Sequence, residues 1–423
     1  MLTLPRPSSL LRLAHAFHRL LIGARRTTPW SGRVRLAALC CVALALSACG
    51  GGGKSASPPT EVTATAGDNQ VTLTWNAESG VEYWVFYATD PTVSPENFVN
   101  VAGSKVIRGA NTPQVVFPLV NGTTYYFTLN GRTDGGPGGS GTPVVSATPR
   151  PSGVVWTAGT PLGTFNLNAA TFGAGAGFVT VGAGGQVFSS GNGKSWTAQT
   201  SGVTNDLNGV AYVNGAYVAV GNAGTTLRSA DAITWTTATA GTQDLYAIAQ
   251  QGAAAVAVGA GGTVITSANG TDWTAQTSGT TVALRGVALG NSLYVAVGDN
   301  GTILTSTDLV TWTRQSSGVA ANLRSITFGL GLFVAVGDQG TILTSPDGVT
   351  WSLATNPTTD ALDAVAVGSQ FVAAGANGRI LTSADGATWL PAASGTTATL
   401  LGLGSAGTGY VAVGAAGTNL SSF

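Results

Sequence analysis

The segment that decides the fold reads Ser345-Pro346-Asp347-Gly348-Val349-Thr350-Trp351, and a second copy of it spans residues 383–389. The tryptophan that ends this segment recurs every 38 to 40 residues, at Trp156, Trp196, Trp235, Trp273, Trp312, Trp351 and Trp389. A glycine that closes a Val-Ala-Val-Gly type strand recurs with the same period, at Gly182, Gly221, Gly259, Gly298, Gly337, Gly375 and Gly414. Because two independent landmarks each occur seven times, they predict seven structural repeats over residues 151–423.

Each repeat contains several short candidate strands and no helical periodicity. In the copy that ends at Trp351, we predict strands at 323–328, 332–337 and 340–345, followed by a turn into a fourth strand. Repeats of about 40 residues with four strands are typical of β-propeller blades. The first repeat begins at a fourth strand, 154–157, and the last one ends after a third strand. We therefore predict a seven-bladed β-propeller over 151–423 in which the N-terminal strand closes the last blade.

The turn before six of the seven tryptophans, all but Trp156, resembles the Asp-box of bacterial neuraminidase-type repeats, and the whole unit also resembles repeats of the photosystem II assembly factor type. The Asp-box resemblance implies that the carboxylate accepts hydrogen bonds from turn amides while the tryptophan packs between blades. Looser copies of the box carry Asn192 and Asn269 where the aspartate is usual. We expect a structural role for Asp231, Asp308, Asp347 and Asp385 and for Trp196, Trp235, Trp273, Trp312, Trp351 and Trp389.

A different pattern covers residues 60–149, where apolar and polar residues alternate with period two. It predicts strands at 70–75, 81–88, 114–119 and 124–130. The run from Leu119 to Tyr125 is like the tyrosine corner of β-sandwiches. This stretch resembles a fibronectin type III domain. The resemblance implies an all-β sandwich ahead of the propeller, which would serve as a spacer or a weak binding surface.

The N-terminus has the features of an export signal. An apolar run at 36–46 follows Arg33 and Arg35 and is too short to span a bilayer. The sequence Leu46-Ser47-Ala48-Cys49 then resembles the lipobox of bacterial lipoproteins. That resemblance implies removal of residues 1–48, acyl chains on Cys49 that bind the membrane, and, since residue 50 is glycine, an outer-membrane location. We expect residues 49–59 to be a flexible tether.

Composition excludes several classes of function. Of the 423 residues, 9% are charged and 61 are glycine. Residues 1–48 hold seven of the 18 Lys and Arg and no acid, so the rest has 11 against 18 Asp and Glu, a net charge of about −7. This charge argues against nucleic-acid binding. His15 and His18 precede Cys49, and Cys40 and Cys41 precede it too. The exported part therefore lacks His-assisted Ser or Cys catalysis and His or Cys metal sites, and we expect no cofactor.

The candidate binding residues follow the leucine that opens each first strand. Around the ring they are Asn168, Asn208, Tyr246, Arg285, Arg324, Asp363 and Leu401. First strands line the central channel of a propeller, and Arg and Tyr are favoured at binding hot spots. We predict that Tyr246, Arg285, Arg324 and Asp363 form a recognition patch on one rim; sequence drift at exposed positions is the other interpretation. In the assembly-factor family an arginine-rich patch binds a client membrane protein, which implies an envelope protein partner here.

Two other functions stay open as alternatives. Sialidases use three arginines, a Tyr paired with Glu, and an Asp, whereas residues 151–423 contain no Glu. The arginines of this region follow no motif that would bring three together; they are Arg228, Arg285, Arg314, Arg324 and Arg379. We therefore expect a non-catalytic binding or scaffold module, with glycan binding or sialidase-like hydrolysis as one alternative and purely structural surface presentation as another.

Overall fold

The computed structural model describes residues 53–251 and 254–423. The predicted signal segment and Cys49 lie outside the described residues. Within them, the regular structure consists of β-strands and short 3-10 turns, and no helix has the length and apolar character needed to cross a bilayer. The prediction of an all-β chain is confirmed.

Residues 157–423 form seven four-stranded antiparallel sheets in the described part of the chain. The first strand of each sheet contacts the first strand of the next, and β34 of the seventh contacts β10 of the first, so the sheets close into a ring. In the order inner to outer strand, the seven blades are: β10 Leu167–Gly173, β11 Gly177–Gly182, β12 Val187–Ser190, β13 Thr197–Gln199; β14 Leu207–Val213, β15 Ala216–Gly221, β16 Thr225–Ser229, β17 Thr236–Thr239; β18 Leu245–Gln251, β19 Ala254–Gly259, β20 Val264–Ser267, β21 Thr274–Gln276; β22 Leu284–Gly290, β23 Leu293–Gly298, β24 Thr302–Ser306, β25 Thr313–Gln315; β26 Leu323–Gly329, β27 Leu332–Gly337, β28 Ile342–Ser345, β29 Ser352–Leu353; β30 Leu362–Val367, β31 Phe371–Gly375, β32 Ile380–Ser383, β33 Leu390–Ala392; β34 Leu400–Ser405, β35 Tyr410–Gly414, β36 Asn419–Ser422, β9 Thr157–Ala158.

The core lies between neighbouring blades. One buried cluster joins Val295 and Val297 of the fourth blade to Leu323 and Phe333 of the fifth, and the other interfaces repeat this arrangement. The strands are apolar on both faces because both faces meet another blade, which explains the Val-Ala-Val-Gly pattern. The close approach of neighbouring blades at the channel also requires small residues. A Cβ on Gly402 of the seventh blade would lie 2.7 Å from the backbone of Ala169 in the first blade.

The two ends of the propeller sequence meet in the seventh blade. Strand β9 pairs with β36, so that Ser421 faces Thr157 and Leu420 faces Ala158. The C-terminal Phe423 then reaches the first blade, where its ring centroid lies 6.0 Å from that of Phe178. The seventh blade is thus built from both ends of the ring, and closure leaves no gap between the first and last blades.

Turns of 3-10 geometry follow the second strand in most blades. Their bounds are Ala183–Gly185, Asn222–Gly224, Ala260–Gly262, Asp338–Gly340, Ala376–Gly378 and Ala415–Gly417, and Phe98–Asn100 forms a further 3-10 turn in the N-terminal region. The third residue of each of the six blade turns is a glycine with positive φ. Gly340, for example, has a φ of +68°, and a Cβ there would lie 2.2 Å from the Thr358 carbonyl oxygen. Glycine is therefore needed where the turn packs against the loop that follows the fourth strand.

Residues 54–147 form two sheets that share one core. The larger sheet has the order β1-β7-β4-β5, with β8 also paired to β7, and the smaller one has the order β2-β3-β6. The Tyr125 hydroxyl accepts a hydrogen bond from the Val120 amide at 3.2 Å, as in a tyrosine corner. The eight strands are β1 Lys54–Ala56, β2 Thr60–Gly67, β3 Gln70–Asn76, β4 Glu82–Ala88, β5 Lys105–Ala110, β6 Gln114–Val116, β7 Tyr125–Thr133 and β8 Val145–Ala147.

Two local predictions for this region are wrong. The tether expected over 49–59 includes strand β1, which pairs with β7 through Lys54 opposite Thr133. This pairing exists because β7 continues to residue 133, beyond the predicted end at 130, and so offers a free edge. The strand predicted at 114–119 ends at Val116, since Pro118 has no N–H to donate to the sheet.

Candidate functional site

The seven residues predicted to form a rim line one cavity at the start of the first strands. We call Asn168, Asn208, Tyr246, Arg285, Arg324, Asp363 and Leu401 the rim. Below it lies a middle ring of small residues: Ala169, Gly209, Ala247, Gly286, Ser325, Ala364 and Gly402. A floor of aliphatic side chains follows: Ala170, Val210, Ile248, Val287, Ile326, Val365 and Leu403. The cavity has a volume of about 210 Å³, with a polar mouth and an apolar base.

A β-bulge places every rim residue. In all seven blades the pairing of the first and second strands shifts register at this position, as between Leu284 and Gly286 or between Leu323 and Ser325. A bulge leaves one residue unpaired and re-aims its side chain. The bulge thus lies at a position that varies in charge and size among otherwise similar repeats.

Three rim residues bond to the turn that follows the second strand of their own blade. Arg285 donates from Nε and Nη2 to both oxygens of Asp299, with an Nη2–Oδ2 distance of 2.9 Å. Arg324 donates from Nε to Oδ1 of Asp338 at 2.5 Å. In the second blade, the Asn208 side chain donates to Oδ1 of Asn222 at 2.8 Å. Each pair is separated by 14 residues, which makes it a repeated feature of the blade.

Other rim contacts reach the next blade. Nη1 of Arg324 lies 2.9 Å from Oδ1 of Asp363, and the guanidinium of Arg285 lies 5.5 Å from the ring centroid of Tyr246. The Asn168 amide donates to the Leu207 carbonyl at 2.9 Å, and Asn208 repeats this with the carbonyl of Leu245. The rim therefore connects neighbouring blades.

Carboxylates and guanidinium groups alternate along the charged half of the rim, in the order Asp299, Arg285, Asp338, Arg324 and Asp363. The hydrogen bonds that Arg285 donates to Asp299 raise the pKa of Arg285. Burial raises the pKa of the Asp363 carboxyl, and Asp338 adds to this, while Arg324 opposes it. The two arginines of the predicted recognition patch are each paired with a carboxylate. Their remaining donors are Nη1 of Arg285 and Nη2 of Arg324, which have no hydrogen-bond partner among the described residues.

Asp299 and Asp338, which hold the two rim arginines, are not among the site residues predicted from the sequence. The repeats contain a pattern that predicts these two pairs. At the corresponding turn position four blades have alanine: Ala183, Ala260, Ala376 and Ala415. The other three have Asn222, Asp299 and Asp338, and these are the blades whose rim residue is Asn208, Arg285 or Arg324. Comparing the two positions across blades would have predicted the pairs.

The Asp-boxes lie at the opposite ends of the blades from the rim. Oδ1 of Asp347 accepts hydrogen bonds from the amides of Val349 at 2.9 Å and Thr350 at 2.7 Å, and the Trp351 indole donates to the Gly348 carbonyl at 3.0 Å. The same backbone amides are bonded in the boxes of Asp231, Asp308 and Asp385. These amides lower the carboxyl pKa, to about 2 at Asp231, Asp308 and Asp347.

The arginines that a sialidase-like site would need do not converge. Of the five arginines in residues 151–423, all of which the structure describes, Arg285 and Arg324 line the channel cavity. Arg379 is paired with Asp360, with Nη2 and Oδ2 2.7 Å apart. Over residues 53–251 and 254–423, His, Cys, Asp and Glu side chains form no group of three or more that could hold a metal ion.

Comparison with known proteins identifies the fold. No family model matches the chain, and no curated protein matches it. Solved structures do match: YCF48 bound to D1 peptide has a TM-score of 0.54 at 17% identity, covering 64% of this chain and 97% of that one. YCF48 from Cyanidioschyzon merolae has a TM-score of 0.53 at 16% identity, covering 63% and 98%. The WD40 β-propeller domain of Doa1 has a TM-score of 0.52 at 10% identity, covering 64% and 97%.

At identities of 10 to 17%, these matches establish the fold and not the function. One of these structures is described as bound to a peptide, and another is described as a β-propeller domain. The C-terminal two thirds of this chain is a β-propeller.

Proposed function

We propose that this chain is a cell-envelope lipoprotein whose propeller binds a segment of another protein at the rim. The observation that carries the proposal is the set of seven β-bulges, which direct one side chain from each of seven similar blades, of five different kinds in all, into one mouth. Tyr246, Arg285, Arg324 and Asp363 occupy four consecutive blades of that mouth. A binding surface needs such asymmetry, whereas a purely structural ring does not.

The size of the cavity supports a protein ligand. Its volume of about 210 Å³ is below the roughly 300 to 1,000 Å³ of pockets that enclose a small molecule. It suits one or two side chains inserted from a partner, with the apolar floor below and the charged rim around them. That YCF48, which shares the fold, binds a D1 peptide lends the proposal further support.

The charged half of the rim favours a ligand segment that carries both acidic and polar groups. A carboxylate on the ligand can accept from the free Nη1 of Arg285 or Nη2 of Arg324 without breaking the existing ion pairs. Tyr246, stacked on Arg285, adds a rigid aromatic surface beside these donors. Since the arginines are held in place before binding, little side-chain entropy is lost when the partner docks.

The remaining parts of the proposal concern attachment. The lipobox at Cys49 supports a lipid anchor, and the two-sheet region with its tyrosine corner supports a fibronectin type III-like spacer between anchor and propeller. Changing Cys49→Ser should release the protein from washed membranes into the soluble envelope fraction. Retention of the variant in membranes would contradict the anchor.

Site-specific photo-crosslinking tests the binding function. A benzophenone side chain at Tyr246 should give an adduct with one polypeptide in intact envelopes. The same group at Thr271, an exposed residue of an Asp-box at the opposite end of the blade, is the matched control and should give none. An adduct of equal yield from both positions, or a glycan adduct from Tyr246, would contradict protein binding at the rim.

A further inference from the structure

We infer that the N-terminal sandwich and the propeller form one rigid arm, which holds the rim at the end of the molecule opposite to its membrane attachment. The partner is then a protein segment that lies outside the anchoring membrane, about 50 Å from its surface. This inference rests on the proposed function, because it takes Cys49 as the anchor and the rim as the binding site.

Rim and sandwich lie at opposite ends of one propeller strand. The rim residue Asp363 is the second residue of β30, and Ser369 and Gln370 form the turn after its last residue, Val367. At about 3.3 Å per residue, the six residues of β30 separate the two ends by about 20 Å. The side chains of this turn contact Ser152, in the segment that links the sandwich to the propeller, and Ser152 contacts Asp68 of the sandwich. The sandwich is therefore connected to the face of the propeller that the rim does not occupy.

Buried hydrogen bonds hold this junction. Asp68, in the hairpin between β2 and β3, is 3% exposed and accepts from the Asn121 side chain at 2.8 Å. Its second oxygen lies 3.4 Å from the hydroxyl of Ser152, whose carbonyl accepts from Nε2 of Gln370 at 2.8 Å. A buried carboxylate is tolerated only where its oxygens keep their hydrogen bonds. The junction therefore has one preferred geometry, unlike a solvated linker.

The chain enters the sandwich at its far end. Strand β7 begins with Tyr125, close to the junction, where the Gly122 amide donates to the Pro149 carbonyl at 2.8 Å. The strand is nine residues long and ends at Thr133, so it spans about 30 Å. Lys54, the first residue of β1, lies opposite Thr133. The N-terminal strand and the propeller thus occupy opposite ends of the sandwich.

These lengths fix where the rim sits relative to a lipid on Cys49. Residue 54 follows Cys49 by five positions, a reach of at most about 17 Å for an extended chain. The sandwich then contributes about 30 Å and the propeller about 20 Å. The exported part carries a net charge of about −7, which opposes lying flat on an anionic bilayer. Lipid headgroups and juxtamembrane segments are therefore out of reach of the rim.

Energy transfer to labelled lipid tests this arrangement in the full-length lipidated protein on vesicles. Donor dyes are placed at Asp134→Cys, at the far end of the sandwich, or at Gln339→Cys, an exposed residue beside Asp338. Lipidated Cys49 is a thioether, so the introduced thiol is the only one that reacts. Transfer to headgroup-labelled phosphatidylethanolamine should be strong from residue 134 and close to background from residue 339.

The outcomes distinguish a failure of the rigid arm from a failure of the lipid anchor. Equal transfer from both labels, with the protein bound to vesicles, would overturn the rigid arm and leave the anchor intact. Absence of vesicle binding would overturn the anchor and the inference together. A third variant adds Asp68→Ala and Gln370→Ala to the residue 339 label; transfer should rise as the junction loosens. No change in transfer would show that these bonds do not set the orientation.

Discussion

Nη1 of Arg324 lies 2.9 Å from Oδ1 of Asp363, and this ion pair joins the fifth blade to the sixth across the mouth of the channel. The same guanidinium also bonds to Asp338 of its own blade. Arg324 is thus shared between two carboxylates, and its orientation is set before any ligand arrives. Because Arg324 is already ordered in the folded protein, its side-chain entropy is lost during folding and not during ligand binding.

We predict a small but measurable coupling between Arg324 and Asp363. The Arg324 side chain is 39% exposed, so solvent weakens the attraction, and exposed pairs contribute about 0.2 to 1 kcal/mol. A double-mutant cycle of Arg324→Ala and Asp363→Ala, followed by urea unfolding, should give a coupling free energy in this range. Strict additivity of the two single changes would contradict the ion pair.

The Asp-boxes predict an acid-sensitive contribution to stability. The pKa of Asp231, Asp308 and Asp347 is about 2 in the folded protein, below the value of about 3.9 in an unfolded chain. Their contribution is therefore fully present above about pH 4 and is lost as the pH falls towards 2. The triple variant Asp231→Asn, Asp308→Asn, Asp347→Asn should lose stability less steeply over this interval.

Urea unfolding at several pH values measures this difference. Asparagine is a suitable replacement because Asn192 and Asn269 already accept the same backbone amides in their boxes, for example from Ser195 and Asp272 at 2.9 Å. Parallel pH profiles for the triple variant and the unchanged protein would show that the low pKa values have no thermodynamic consequence.

Closure of the ring predicts sensitivity at the C-terminus. Phe423 packs against Phe178 of the first blade, and Nζ of Lys194 lies 5.4 Å from its ring centroid. Changing Phe423→Ala should lower the free energy of unfolding by about 2 kcal/mol, since the ring is partly buried. Leu353→Ala is the control, because that side chain is 65% exposed. Equal effects of the two changes in urea unfolding would argue against a role for Phe423 in closure.

The sandwich contains an unusual buried cation. Arg132 is 8% exposed, forms no ion pair with a carboxylate in the described part of the chain, and has its guanidinium 3.3 Å from the ring centroid of Trp84. Burial lowers the pKa of Arg132. Arg108 lies over the same ring at 4.7 Å. Both arginines thus lie over one aromatic ring, and Nη2 of Arg132 also donates to Oδ1 of Asn130 at 3.1 Å.

We expect Trp84→Ala to lower the free energy of unfolding by about 3 kcal/mol, because it removes packing and leaves Arg132 without its stacking partner. Arg132→Met should have an effect within about 1 kcal/mol of zero, since an apolar side chain of similar length avoids burying a charge. Urea unfolding of the two variants checks both values. A larger loss from Arg132→Met than from Trp84→Ala would contradict this explanation.

The repeated architecture was predictable because it leaves a periodic trace. Each blade needs the Trp that follows its Asp-box and the glycine that ends its second strand, and these residues recur at fixed intervals. The convergence of the rim was also predictable in outline, since equivalent residues of a ring meet at its axis. The cavity collects all seven of the predicted rim residues.

The hydrogen bonds and ion pairs of the rim were harder to predict from the sequence than its position. The β-bulges that orient the rim side chains are departures from regular strand pairing. The sequence Leu284-Arg285-Gly286 contains no pattern that predicts such a bulge. The pairing of Arg285 with Asp299 joins the first strand of a blade to the turn after its second strand, and it shows in the sequence only when the blades are compared. Strand β1 was missed because three residues, Lys54–Ala56, are too few to show a period and are held by the edge that β7 provides.

The central claim is that the rim is the surface that binds a protein partner. The most direct measurement is co-purification from crosslinked envelopes, comparing the unchanged protein with an Arg285→Glu, Arg324→Glu variant. An Arg228→Glu, Arg314→Glu variant, which alters two arginines outside the channel cavity, is the control, and thermal unfolding verifies that both variants are folded. We predict one protein partner that the control retains and the rim variant loses. Retention of the same partner by the folded rim variant would contradict the account.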